Sequence, residues 1–202
     1  MALANASLDG GFQDAVFESQ AVFRGLMDAM SRPGTIQTLE TPAKAPGALS
    51  AAQSAILLCL ADPDTSVWLS PSLYAQDALG WISFHSGAPV THSMSNANFA
   101  FLGLGEALPD FLGFANGTQE YPDRSTTIII ELPALTGGQA LVAAGPGIEN
   151  EIDMSPSGLP DNFVRRWSAN HGLFPRGVDL IFTCGSTVMC LPRSTQLKQR
   201  EV

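Results

Sequence analysis

The sequence predicts an α/β protein in which helices pack over a mixed sheet, and three observations carry that prediction. Helical patterns concentrate in the first half of the chain, and strand pairs concentrate in the second. A hairpin around Gly185-Ser186 then closes the sequence. The length of 202 residues, with 45% hydrophobic and 14% charged, suits one domain. A chain of this size buries roughly 70% of the surface its unfolded form exposes, so it needs no metal or disulfide staple. We read residues 1–11 as a frayed N-terminus, residues 12–196 as a single α/β domain, and residues 197–202 as a C-terminal tail.

From Phe12 the pattern turns helical, with Phe12, Val16, Phe23, Met27 and Met30 on one face. Ser31-Arg32-Pro33-Gly34 stops that helix, because proline cannot continue it and glycine permits the turn. Thr35–Leu39 reads as a short strand and Thr41–Ser50, with two prolines and a glycine, as a loop. Ala51–Ala61 is an apolar helix ended by Asp62-Pro63-Asp64, and Ser66–Leu69 is a short strand. Ser70-Pro71-Ser72 signals a helix start for Leu73–His85. Gly87–Asn98 reads as loop, Phe99–Leu102 as strand and Glu106–Phe114 as a short helix.

In the second half, Ser125–Leu132 carries a β-branched run typical of a buried strand. Gly137-Gly138 turns the chain into a second strand, Gln139–Ala144. A loop to about Pro160 leads to a helix near Asp161–Asn170, with Asp161 as its N-cap. Val178–Cys184 and Thr187–Leu191 form the hairpin. A two-residue turn at Gly185-Ser186 pairs Cys184 with Thr187 and Cys190 with Ile181. The two cysteines then point to opposite faces and cannot bond.

Ten basic residues face nineteen acidic ones, for a net charge of −9. Such a chain is repelled by nucleic acid and by anionic lipid, and no Lys/Arg run offsets this. The longest apolar stretch, Ala55–Ala61, is about a third of a membrane span. Residues 1–11 lack the pattern of a signal peptide, and three cysteines suit a reducing cytosol. A cytoplasmic protein is therefore expected.

Candidate chemistry is sparse. Pro192-Arg193-Ser194-Thr195 follows the last hairpin strand, where an arginine beside two hydroxyls could grip an oxyanion or phosphate. Arg32 could supply a second cationic arm. Gly145-Pro146-Gly147 could form an anion-binding nest but does not match a dinucleotide pattern, and a plain turn is the simpler reading. His85, His92 and His171 lack the pair spacing of a zinc site. Asp62/Asp64 and Glu149/Glu151/Asp153 read more simply as turn and loop carboxylates than as Mg²⁺ ligands. No catalytic residue and no metal ligand is assigned.

Four segments, in order, resemble one family. They are Phe12-Gln13-Asp14 through Phe23-Arg24-Gly25-Leu26-Met27-Asp28-Ala29-Met30-Ser31-Arg32-Pro33-Gly34, then Leu58-Cys59-Leu60-Ala61-Asp62 through Val67-Trp68-Leu69. They continue with Phe174-Pro175-Arg176-Gly177-Val178-Asp179-Leu180-Ile181-Phe182-Thr183-Cys184-Gly185 and end with Leu191-Pro192-Arg193-Ser194-Thr195. Over about residues 10–196 the chain resembles PhnH, the H subunits of the bacterial carbon–phosphorus lyase system.

The resemblance implies cytoplasmic phosphonate catabolism, in which an alkylphosphonate is transferred to the ribose C1 of ATP and adenine is released. The product is a ribose 1-phosphonate 5-triphosphate such as the methyl derivative. It implies a core assembly with G, I and J subunits, a homodimer when isolated, and a binding or scaffold role, with the nucleosidase-like chemistry credited mainly to the I subunit. It also implies a three-layer α/β/α sandwich resembling PLP-dependent transferases, without PLP and without an iron–sulfur cluster.

The residues agree. The only lysines, Lys44 in a Pro-rich loop and Lys198 in the tail, are poor Schiff-base candidates. No iron–sulfur cysteine spacing occurs. Arg193, Ser194, Thr195 and Arg32 are the expected anion- or partner-binding residues. The alternatives are a stand-alone transferase or hydrolase acting on a phosphorylated small molecule, and an inert structural dimer.

Overall fold

The computed structural model describes residues 8–40 and 43–200. Residues 1–7 of the expected frayed terminus, Thr41 and Pro42 of the expected loop, and Glu201 and Val202 of the expected tail lie outside the described residues.

Helix α1 (Ala15–Ser31) starts where the Asp14 carboxylate accepts from the Phe17 amide at 3.2 Å, three residues later than the apolar pattern suggests. Its buried face corrects the sequence reading. Val22, Leu26 and Ala29 turn inward, while Val16, Phe23 and Met27 stay 74%, 48% and 51% exposed. Both faces are apolar, so periodicity alone cannot choose between them. Close approach chooses: Gly25 stands on the inner side, where an added Cβ would meet Leu39 Cδ2 at 2.8 Å.

Strand β1 (Ile36–Thr38) follows, then α2 (Ala51–Leu60). Ser50 and Gln53 form a reciprocal capping box at the start of α2, with the Ser50 hydroxyl accepting from the Gln53 amide and the Gln53 side chain from the Ser50 amide. Ser50→Ala is expected to lower stability by about 1 kcal/mol in chemical denaturation, with the denaturant slope unchanged.

After β2 (Val67–Leu69) a single 3₁₀ turn at Pro71–Leu73 precedes α3 (Gln76–His85), so the helix starts later than Leu73. Strands β3 (Val90–Thr91), β4 (Phe99–Leu102) and β5 (Thr127–Glu131) continue the parallel part of the sheet, which the strand Asp179–Cys184 later extends beside β5. The helix expected over Glu106–Phe114 is absent, and only a 3₁₀ turn at Phe111–Gly113 forms there. Pro109 explains this, since it removes an amide donor and biases Leu108 away from helix.

Strand β6 (Leu141–Ala144) forms within the expected stretch Gln139–Ala144. It does not return along β5 but pairs antiparallel with β7 (Ile152–Met154) and β10 (Gln196–Gln199), forming a three-stranded sheet. The stretch read as loop therefore holds β7, and the stretch read as tail holds most of β10. Helix α4 (Phe163–His171) follows Asn162 rather than Asp161 at its N-cap. Strands β8 (Asp179–Cys184) and β9 (Thr187–Leu191) make the expected hairpin, in the expected register of Ile181 with Cys190 and Cys184 with Thr187.

The larger sheet is mixed, with seven strands ordered β1-β9-β8-β5-β4-β2-β3. Alternate residues of the central strands feed two apolar clusters. Phe101, Ile129, Ile181 and Cys190 pack with Leu26, Ile56, Leu57 and Trp81 of α1, α2 and α3. Ala100, Ile128, Leu180 and Phe182 pack with Phe163 and Trp167 of α4 and with Leu141 and Leu197 of the small sheet. Residues 8–11 are tied down rather than frayed. Trp81 Nε1 donates to the Asp9 carbonyl at 2.9 Å, and the Lys44 amide donates to the Gly10 carbonyl at 2.8 Å.

Candidate functional site

Arg193 sits where β9 ends, and β8 begins beside it with Asp179. The Arg193 amide donates to Asp179 Oδ1 at 2.8 Å, and Nε donates to both carboxylate oxygens at 3.1 Å. Nη2 donates to Asp179 Oδ2 and to Ser125 Oγ. Nη1 donates to the carbonyls of Pro122 at 2.8 Å and Pro175 at 3.4 Å. The two side chains are only 14% and 19% exposed. Every guanidinium nitrogen is thus engaged inside the chain, and one carboxylate neutralises its charge. This redirects the sequence reading: Arg193 clamps three chain segments and offers no free donor to an external anion.

The other expected residues do not join it. Thr195 is fully buried, and its carbonyl accepts from Trp167 Nε1 at 2.8 Å while its hydroxyl has no partner. Ser194 is half-buried, and a Cβ on Gly145 would lie 3.0 Å from its carbonyl oxygen. Arg32 is exposed and pairs with Asp28 at 3.1 Å across one turn of α1. It lines a separate cleft of about 270 Å³ with Gly147, Ile148, Glu149 and Glu151.

Asp179 is the residue that sequence reasoning missed. The signal was available, because the hairpin register that pairs Leu180 with Leu191 sets Asp179 opposite Pro192, next to Arg193.

In open α/β sheets ligands favour the carboxyl ends of parallel strands where strand order reverses. Here β3 and β4 flank β2, so that crevice lies between the ends of β2 and β4. The chain fills it with its own groups. Ser70 Oγ accepts from the Gly103 amide at 3.0 Å, and Glu106 Oε1 accepts from the Ser72 amide at 2.6 Å. Burial alone would raise the Glu106 carboxyl, but bonds from Ser72 and Ser70 outweigh it and hold the group below its ordinary value. Glu106 therefore stabilises the fold above the unfolded carboxylate's pKa, and this contribution is lost as pH falls through the lower folded value. Glu106→Gln is expected to flatten the acid limb of a stability-versus-pH curve and to leave its neutral-to-basic shape unchanged.

Beside the crevice lies a groove of about 440 Å³ lined by Leu104, Leu108, Leu132, Leu159, Glu106 and Glu131. Glu131 is satisfied internally, accepting from Thr183 Oγ1 at 2.5 Å and from the Gly185 amide at 2.8 Å.

The histidines are dispersed. His92 Nε2 lies 3.2 Å from the Tyr74 hydroxyl, His171 Nδ1 lies 2.9 Å from the Arg193 carbonyl, and His85 packs between Trp81 and Phe84. Among the described residues no group of three His, Cys, Asp or Glu could hold a metal ion, and no helix is long and apolar enough to cross a membrane. Burial, with the nearby Asp179 charge, pushes the Cys190 thiol up to about 12.

Fold and site together define an α/β protein with a mixed sheet, whose polar strand ends are satisfied by its own side chains. The chain belongs to the PhnH family, described as bacterial phosphonate metabolism protein, whose sequence profile matches residues 10–198. The alpha-D-ribose 1-methylphosphonate 5-triphosphate synthase subunit PhnH of Rhizobium meliloti (strain 1021) is 53% identical over 190 residues. That alignment covers 94% of this chain and 95% of the relative. The putative C-P lyase subunit protein HtxG of Stutzerimonas stutzeri is 31% identical over 184 residues, covering 88% and 85%.

Proposed function

We propose that this chain is a subunit of the carbon–phosphorus lyase core complex in phosphonate catabolism. It supports transfer of an alkylphosphonate to the ribose C1 of ATP, with release of adenine. The observation that carries this reading is a 53% identity, across almost the whole of both chains, to a protein named as a subunit of ribose 1-methylphosphonate 5-triphosphate synthase. Its partners are the G, I and J subunits, and its compartment is the cytoplasm.

The role within the complex is binding and scaffolding. The most elaborate polar cluster, around Arg193, is used to hold the chain together. Lys44 is exposed, and Lys198 is 63% exposed and paired with Glu151, so neither lysine has the shelter that a Schiff base needs. The reading accordingly assigns no PLP and no iron–sulfur cluster to this chain, and gives ATP to the complex as substrate. Arg32 remains the expected cation with a surface available to an anion or partner. Apolar clusters on both faces of the sheet support a three-layer arrangement related to PLP-dependent transferases. The uncovered stripe of α1, with Val16, Phe17, Phe23 and Met27 exposed, supports a homodimer for the isolated chain.

Co-expression with tagged G, I and J subunits tests the reading. A stable multi-subunit particle containing this chain is expected, with no adenine released by the isolated chain from ATP and methylphosphonate. Adenine release by the isolated chain would favour a stand-alone transferase instead.

A further inference from the structure

Segments 108–125 and 162–177 are stitched together along one side of α4. The Gly177 amide donates to the Asn116 carbonyl at 2.9 Å. The Arg166 guanidinium donates to the carbonyls of Leu108 and Pro109 and lies 5.0 Å from the centre of the Phe111 ring. The part-buried Arg193 ties Pro122 of one segment to Pro175 of the other.

The surface these segments present differs from the rest of the molecule. Leu112, Tyr121 and Phe174 are 69%, 51% and 59% exposed. Arg124, Arg165 and Arg176 are exposed with them, and Arg124 stacks over Tyr121 at 4.1 Å. The side chains of Arg165 and Arg176 make no hydrogen bond or ion pair among the described residues. The two segments hold four of the ten basic residues and, with Asp110, Glu120 and Asp123, three of the nineteen acidic ones, although Asp161 stands just outside. On a chain of net charge −9 this is a cationic strip. A cleft of about 240 Å³ between Leu112, Arg165, Arg166 and Leu173 opens within it.

We propose that this arginine–aromatic strip is the docking face for an acidic segment of another subunit, an inference that rests on the complex-subunit reading above. Arginine and aromatic side chains are the groups that interfaces favour at their centres. The strip is pre-organised, because the Arg193 clamp fixes both of its loops before a partner arrives, which lowers the ordering cost of binding. An acidic partner is repelled by most of this chain and attracted here, so the strip also sets orientation and encounter rate. The guanidinium groups are spread along two segments and interleaved with apolar side chains. That spacing suits an extended acidic segment better than a compact polyanion, which needs converging donors.

The test compares three tagged chains co-expressed with the G, I and J subunits: wild type, Arg165→Glu/Arg176→Glu, and Lys44→Glu/Arg200→Glu as a control with the same change in net charge. The wild type and control are expected to assemble. The strip variant is expected to bind the other subunits at least about tenfold more weakly while keeping the wild-type thermal midpoint and self-association state. Should the reversal lower that midpoint, Arg165→Gln/Arg176→Gln replaces it under the same criterion. Added salt is expected to weaken wild-type assembly.

Assembly of the strip variant at wild-type affinity overturns the docking face and leaves the subunit reading standing. Failure of the wild type itself to assemble overturns that reading and the docking face with it. Loss of ATP binding by the isolated variant with assembly intact makes the strip a small-anion site and also overturns the proposal.

Discussion

Arg193→Ala is expected to destabilise the protein by about 3–5 kcal/mol, one of the two largest single-site effects in the molecule. The substitution strands Asp179, a carboxylate only 19% exposed, and removes the donors that serve Ser125, Pro122 and Pro175. Most of the loss is the cost of leaving a buried charge without its partner, not the intrinsic worth of the pair. A double-mutant cycle with Asp179→Asn separates the two. The double variant is expected to be more stable than the sum of the single losses predicts, since removing the carboxylate charge relieves part of the penalty. A loss below about 1 kcal/mol for Arg193→Ala, measured by denaturant titration, would place the pair with ordinary surface ion pairs and remove the clamp from the account.

Trp167→Ala is expected to have a comparable effect, about 3–5 kcal/mol. Trp167 is fully buried in α4, stacks with Phe163 at 6.4 Å between ring centres, and meets Phe111 edge-on at 6.1 Å. Its Nε1 also serves the Thr195 carbonyl, so Trp167→Phe isolates the polar part of the cost. That variant keeps much of the ring area but leaves the carbonyl without its donor, and a loss of about 1–3 kcal/mol is expected. Equal losses for the two variants would mean that the aromatic ring retained by Phe contributes nothing.

How much of this was legible in the sequence depends on how local each determinant is. The β8–β9 hairpin was legible, because Gly185-Ser186 and alternating apolar residues fix turn and register within a dozen positions. From that register the separation of Cys184 and Cys190 followed directly. The buried face of α1 was not legible, since Val16, Phe23 and Met27 and Val22, Leu26 and Ala29 satisfy the same helical spacing. The three-stranded sheet was also hidden, because β6 pairs with β7 and β10 rather than with the strand before it, and strands of three or four residues carry little pattern of their own.

The candidate site was half legible. Arg193 stood out by its place after a strand, yet its role depends on Ser125, Pro122 and Pro175, between 18 and 71 residues away, and no local signal announces them. An arginine beside hydroxyls looks the same in sequence whether it faces solvent or a part-buried carboxylate. Only the fold decides which.

The edges of the seven-stranded sheet have a consequence for assembly. One edge is β1, three residues long, and the other is β3, only two. Edges that short offer few unpaired amide and carbonyl groups to an incoming chain. Strand addition, by which many proteins extend a sheet into a neighbour, is therefore nearly closed to this one at its main sheet. Subunits that join it there must be recognised by the shape and chemistry of side chains, so substitutions on its surface can alter partner choice while leaving the backbone ladder untouched.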